Sequence, residues 1–259
     1  MALTKNEYPI LEFDTSFRAL FNAKDIKGTL KEIKLPEKAV FAFLGSCIDE
    51  YAESTGAEKV YTIETITKDY PIYIIEQNGE KICLCQAPMG APAAVENLEI
   101  LFSCGVKKVI SAGSCGVLQD IPENHFIVPT KALRDEGCSY HYLPPSRFVD
   151  LDMPMTDHIR RVLSEKAIPF SEGITWTTDG LFRETHEMVA HRKSEGCTVV
   201  EMECASLAAC AKFRGADLGM FFFTADSLAN TEAYDMRDFG KASLVPALHM
   251  CIDIISYAK

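Results

Sequence analysis

The sequence predicts an α/β fold, a single domain with a largely parallel mixed central sheet flanked by helices. Three observations predict it. Short apolar runs alternate along the chain with segments of helical period, the pattern of strands covered by helices. Two of those runs lead straight into carboxylates: Thr198–Val200 into Glu201 and Glu203, and Gly219–Thr224 into Asp226. Between them, Cys204 to Cys210 are nearly all small residues, which suits a helix laid close to a sheet. Acids at strand ends stand where open α/β sheets take their ligands.

In chain order, residues 1–37 are polar with scattered aromatics (Phe13, Phe17, Phe21) and are expected to form an N-terminal arm or helix, leaving 38–259 as the domain. Ala39–Gly45 reads as a strand. Tyr73–Glu76 and Lys81–Gln86 flank Asn78–Gly79, a hairpin turn signal. Ala93–Cys104 carries Val95, Leu98, Leu101 and Phe102 on one helical face. Val106–Ala112 and His125–Pro129 read as strands, and Thr156–Ala167 as a helix capped by Thr156. Glu172–Thr178 reads as a strand and Glu184–Lys193 as a polar helix. A charged loop, Asn230 to Asp238, precedes a last helix with Leu244, Leu248, Cys251 and Ile255 at steps of three and four. No repeat, low-complexity tract or linker divides the chain.

Composition narrows the function. The chain has 259 residues, 47% hydrophobic and 24% charged, enough to bury a sizeable core. Its net charge of −11 disfavours nucleic acid and anionic membranes as partners and permits a neutral small molecule. No apolar run approaches the roughly 20 residues of a membrane span, and the first residues lack a signal-peptide layout. Ten cysteines, many in apolar segments, read as reduced core thiols of a cytoplasmic protein. No pattern of metal-ligand spacing is present, so no metal and no cofactor is expected.

The acids carry the chemistry. Carboxylates are poor partners for phosphate and good acceptors for neutral hydroxyls, although Glu is also welcome at an ordinary helix start. Val200–Glu201–Met202–Glu203–Cys204–Ala205 stands as a V-E-M-E-x-A motif, Ala225–Asp226 as an S-D motif with Ala for Ser, and Ser111–Ala112–Gly113–Ser114–Cys115–Gly116 as a glycine loop. With these three motifs the chain resembles the nucleoside phosphorylase superfamily, the branch of hexameric purine nucleoside and uridine phosphorylases and methylthioadenosine nucleosidases. The resemblance spans roughly residues 38 to 258.

It implies cleavage of a nucleoside between base and sugar. Glu203 would accept the ribose hydroxyls, Met202 would face the sugar, and Glu201 would support them. Asp226, at the end of a very apolar strand, would give a proton to the departing base; its alternative role is to cap the following turn. Gly45 and the backbone of Gly113, Ser114, Cys115 and Gly116 would cradle the nucleophile.

Here the chain departs from the phosphorylases. Two family arginines are replaced by Asp49 and Ser111, and where a neighbouring subunit donates a third there is only Lys68. Nucleosidases instead carry a water-activating Glu five residues after the first-strand glycine, a position held here by Glu50; Asp49 and Glu50 equally suit the first turn of a helix. Arg134–Pro145 looks like a uridine phosphorylase loop, though Tyr140 and His141 also suit a subunit interface. Thr178, Phe182 and Arg183 stand where the family holds the base. The expected reaction is phosphorolysis at an atypical phosphate site, with phosphate as co-substrate. The alternatives are hydrolysis by water and non-catalytic nucleoside binding. A homo-oligomer, dimer or hexamer, is implied.

Overall fold

The computed structural model describes residues 3–26 and 32–258; residues 1, 2 and 27–31 of the expected arm, and residue 259, lie outside the described residues. Among the described residues, the arm holds no α-helix. It is a two-stranded pair, β1 (Leu3–Thr4) with β2 (Phe13–Asp14), and short 3-10 turns. Phe13 is buried, and Phe17 stacks on Phe213 at 4.7 Å while its carbonyl accepts from Arg214 at 2.9 Å.

The domain is one mixed sheet between two helical layers. After β3 (Lys38–Ala42) come α1 (Cys47–Thr55), the antiparallel strands β4 (Glu58–Glu64), β5 (Asp69–Gln77) and β6 (Glu80–Gln86), and α2 (Ala91–Ser103). The β5–β6 hairpin turns on Asn78 and Gly79, at φ 55° and 77°, the left-handed pair that a two-residue turn demands. Then follow β7 (Lys108–Val117), β8 (Phe126–Asp135), β9 (Phe148–Asp150), α3 (Pro154–Glu165) and β10 (Phe170–Thr178). The chain continues through α4 (His186–Ser194), β11 (Cys197–Glu201), α5 (Cys204–Arg214), β12 (Asp217–Ser227) and α6 (Leu244–Ser256).

Along the sheet the order is β11-β10-β8-β12-β7-β3-β6-β5-β4, with β9 beside β8. β11 pairs parallel with β10 and also antiparallel with β7, through Val199 to Val117 and Val200 to Gly116. Five strands therefore close into a ring. One core layer lies under α2 and α5, built on residues such as Phe41, Leu98 and Leu207; the other lies under α1, α3 and α6, around Leu84, Phe221 and Leu248. The small residues of α5, Cys204 to Ala211, are all buried, which lets this helix sit close to α2 and the sheet.

Three local expectations fail for identifiable reasons. Ser111–Gly116 is not a loop: all six residues lie in β7, whose end is paired with β12 on one side and β11 on the other. β8 runs on six residues past Pro129, because its register with β10 shifts there: Gly173 faces Pro129 and Ile174 faces Lys131, so β8 bulges at Thr130 beside the residue that lacks a donor. Thr156 does not cap α3. Pro154 takes the first helical position, where its fixed φ is already suitable, and Thr156 is buried one turn in.

Candidate active site

Glu201 comes first, because it builds the turn that presents the others. Its Oε1 accepts from the hydroxyls of Thr175 (3.0 Å) and Thr177 (2.6 Å) on β10. Its Oε2 accepts the backbone N–H groups of Glu203 and Cys204, both at 2.7 Å. The helix-capping role of an ordinary acid before α5 thus falls to Glu201, which leaves Glu203 free for other work. Burial pushes the Glu201 carboxyl up, against these four donors.

Glu203 is buried and its Oε1 accepts from Gly90 N at 2.6 Å. Gly90, at φ 94°, is the residue that starts α2, so Glu203 joins the N-termini of two helices. Burial first, and then the charge of Glu201, push Glu203 up to about 8.

Asp226 lies in the irregularity of β12 between two parallel pairs with β7, Thr224 with Cys115 and Ser227 with Val117. Its Oδ2 accepts from the Tyr234 hydroxyl at 3.0 Å, and Tyr234 is pushed up to about 12 by burial and by Asp226. Glu203 and Asp226 do not meet as ends of two neighbouring parallel strands. They line one cavity because β7 ends between β11 and β12. Gly116 sits at that junction, where a Cβ would lie 2.8 Å from Leu228, 3.1 Å from Val200 and 3.3 Å from Asp226 Oδ1, so a larger residue has no room.

These groups face one cavity of about 890 Å³. Its wall contains Glu201, Met202, Glu203 and Asp226, together with Gly45, Gly113, Ser114, Cys115 and Gly116. The Cys115 thiol is buried and directed to the Phe223 carbonyl at 3.7 Å, and burial raises it well above the usual thiol range. Phe182 also lines the cavity, with 95% of its surface exposed.

Other expected residues are not brought in. Glu50 is exposed on α1 and outside the cavity wall; Asp49 instead accepts from the Tyr73 hydroxyl at 3.1 Å. Thr178 is buried and accepts from Gly180 N, and Arg183 is exposed; neither lines the cavity. Ser111 is fully buried in β7. The Arg134 loop packs on itself: the guanidinium donates to Ser139, Pro144, Ser146 and Leu143 and lies 4.1 Å over the Tyr140 ring.

Sequence reasoning missed Glu184, Tyr70, Gln86 and Tyr234, all in the wall. Glu184 was the expected first residue of a helix. In fact Thr185 caps α4, its Oγ1 accepting from Met188 N at 3.3 Å, and Glu184 is left outside, half-buried against the cavity. A Thr three residues before Met188, with Glu187 in the first turn, was the signal available. Four carboxylates therefore line the cavity and, among the described lining residues, no Arg or Lys does. On the rim, Lys68 donates to Gln86 and lies 5.4 Å over the Tyr70 ring. No group of three or more His, Cys, Asp or Glu among the described residues could hold a metal ion, and no described helix is long and apolar enough to cross a membrane.

Fold and site together define an α/β protein with a carboxylate-lined cavity beneath a glycine-bearing strand end. Residues 39–245 match the model of the phosphorylase superfamily, and the chain belongs to that family. It is similar to guanosine phosphorylase of Halorubrum lacusprofundi, 25% identical over 153 residues, 59% of this chain and 64% of the relative. It is also similar to uridine phosphorylase of Haemophilus influenzae, 24% identical over 119 residues, 46% of this chain and 47% of the relative. The matched segments thus span less than two thirds of those relatives. In fold it is similar to uridine phosphorylase of Vibrio fischeri (TM-score 0.68, 20% identity, 85% of this chain and 95% of that one). AMP nucleosidase of Bacteroides thetaiotaomicron gives TM-score 0.69 at 19% identity, over 86% of this chain and 88% of that one.

Proposed function

We propose that this protein cleaves the N-glycosidic bond of a nucleoside and that water is the attacking group. The observation that carries the choice of water is the make-up of the cavity wall: four carboxyl groups, with no Arg or Lys among its described residues. A phosphate dianion there would find no guanidinium fork or ammonium to hold it, whereas water needs none. Glu203 accepts the ribose hydroxyls against Met202, Glu201 fixes the turn, and Asp226 delivers a proton to the departing base. Phe182 supplies an aromatic face for the base. As the bond lengthens the sugar becomes oxocarbenium-like, and the carboxyl oxygens that face it favour that positive charge.

Phosphorolysis is the second reading. Lys68 on the rim favours it, as do the phosphorylase names of the relatives. Purified protein incubated with purine and pyrimidine nucleosides, with and without phosphate, decides between them. Free base and free ribose at a rate independent of phosphate is the expected result. Ribose 1-phosphate would establish phosphorolysis, and binding without any product would mean a nucleoside-binding protein.

A further inference from the structure

We infer that Tyr234 is a positioning residue for the acid: its hydroxyl fixes Asp226 through Oδ2, so that Oδ1 carries the proton to the departing base. The inference rests on the reading of the chain as a nucleoside-cleaving enzyme. Tyr234 lies outside every motif that carries the resemblance.

The two carboxyl oxygens of Asp226 have different surroundings. Oδ2 accepts from the Tyr234 hydroxyl at 3.0 Å. Oδ1 lies over Gly116, 3.3 Å from where a Cβ would stand, and Gly116 lines the cavity. A hydroxyl that donates to Oδ2 leaves the acid's own proton to Oδ1. Glycine at 116 keeps that side of the carboxyl open to a base.

The loop after β12 holds Tyr234 in place. Ser227 N donates to the Asp235 carbonyl at 2.8 Å and Asp235 N to the Ser227 carbonyl at 3.1 Å. The residue after Tyr234 is thereby tied to the residue after Asp226. Arg237 braces the same stretch: its guanidinium donates to the Ala225 carbonyl at 3.4 Å and lies 3.6 Å from the Asp235 carboxylate. Further on, Glu123 Oε1 accepts from Asp238 N at 3.0 Å and from Gly240 N at 2.9 Å. Arg237 and Phe239 take left-handed φ values of 49° and 52°, a cost that persists only where the surroundings impose it. The Tyr234 donor is therefore in place before any substrate arrives.

Its contribution falls on the chemical step. A neutral acid offers Oδ2 as an ordinary acceptor, whereas the carboxylate left after proton transfer accepts a charge-assisted bond. An interaction that strengthens along the reaction raises kcat more than it lowers KM. The C1′–N bond breaks, its electron pair goes to the base nitrogen, and that nitrogen takes the proton from Asp226 Oδ1. The oxygen of water bonds to C1′, its surplus proton leaves to solvent, and a solvent proton restores Asp226. Nucleoside and water give base and free sugar.

The test compares Tyr234→Phe and Asp226→Asn with wild type on a nucleoside and on 4-nitrophenyl riboside, whose leaving group departs as an anion and needs no proton. On the nucleoside, Tyr234→Phe should lower kcat by about 10- to 100-fold with KM within a few-fold. On the nitrophenyl riboside both variants should stay within about threefold of wild type. An unchanged kcat on the nucleoside, a loss carried by KM, or an equal loss on both substrates would overturn the inference. Carbon-13 NMR at neutral pH gives a readout that needs no turnover. Tyr234→Phe keeps the ring and removes only the hydroxyl, yet it should shift the Asp226 carboxyl signal, and Asp226→Asn should shift the Tyr234 Cζ signal. Signals indifferent to each other's substitution would overturn it too. If wild type cleaves the nucleoside alone, the kcat and KM values and the NMR pair decide. If it cleaves neither substrate, the proposed function fails, and the NMR pair still decides whether Tyr234 holds Asp226.

Discussion

Replacing Glu203 with Gln should make the unliganded protein more stable, and increasingly so as pH rises. Glu203 is held at about 8, against 4.5 for an unperturbed Glu. A carboxyl raised on folding contributes stability that is complete below its unfolded value and is lost as pH climbs through its folded value. The window is therefore pH 4.5 to 8. At about 1.4 kcal/mol per unit, wild type should lose on the order of 4 kcal/mol across it from this group alone. Gln carries no titrating proton, and its Oε1 can keep the 2.6 Å bond from Gly90 N. Urea unfolding of both proteins at half-unit steps between pH 5 and 8.5 measures the difference directly. Near pH 5 the two should agree within about 1 kcal/mol, and by pH 8 Gln should lead by on the order of 4 kcal/mol. A difference that stays flat with pH would show that Glu203 ionises normally, and that its burial against Glu201 has been misread.

Three further outcomes are expected. Asp226→Asn should lower turnover by about 10²–10⁴ while nucleoside binding stays within a few-fold; turnover within threefold of wild type would remove Asp226 from the chemistry. Ser111→Arg, the substitution that would restore a family arginine, should not rescue phosphate use, because Ser111 is fully buried in β7. It should cost at least about 3 kcal/mol by burying an unpaired charge, seen as a lower urea midpoint; wild-type stability with new phosphate dependence would refute that placement. Light scattering at micromolar concentration should give a mass above the 28.7 kDa of one chain, with exposed Met89, Phe182 and Tyr234 around the cavity mouth as the surface to be covered. A monomer would refute it.

The sequence made the alternation of strands and helices, the Asn78–Gly79 hairpin and the acids at strand ends legible, because each is a local pattern with a local cause. What stayed hidden depends on partners distant in the chain. Ser111–Gly116 looks like a loop to any reading of its glycines; it is a strand because β11 and β12 pair with it from both sides. Glu50 has the spacing of a water-activating acid, yet the first turn of α1 leaves it in solvent. The division of labour between Glu201 and Glu203 is likewise invisible in a V-E-M-E run, since it is set by Thr175, Thr177 and Gly90 on other elements.

The closed ring has a consequence for how copies of this chain can associate. Because β11 turns back onto β7 through Val199 and Val200, that end of the sheet is paired on both sides, and among the described residues the open end of the main path is β4. Exposed Glu58, Lys59 and Glu64 stand along β4, charges of the kind that discourage a strand from another molecule from adding there. Growth by continuing the sheet from one molecule to the next is thus closed off at one end and guarded at the other. Helices and loops, such as those that surround the cavity mouth, are therefore better placed than either end of that path to meet another copy.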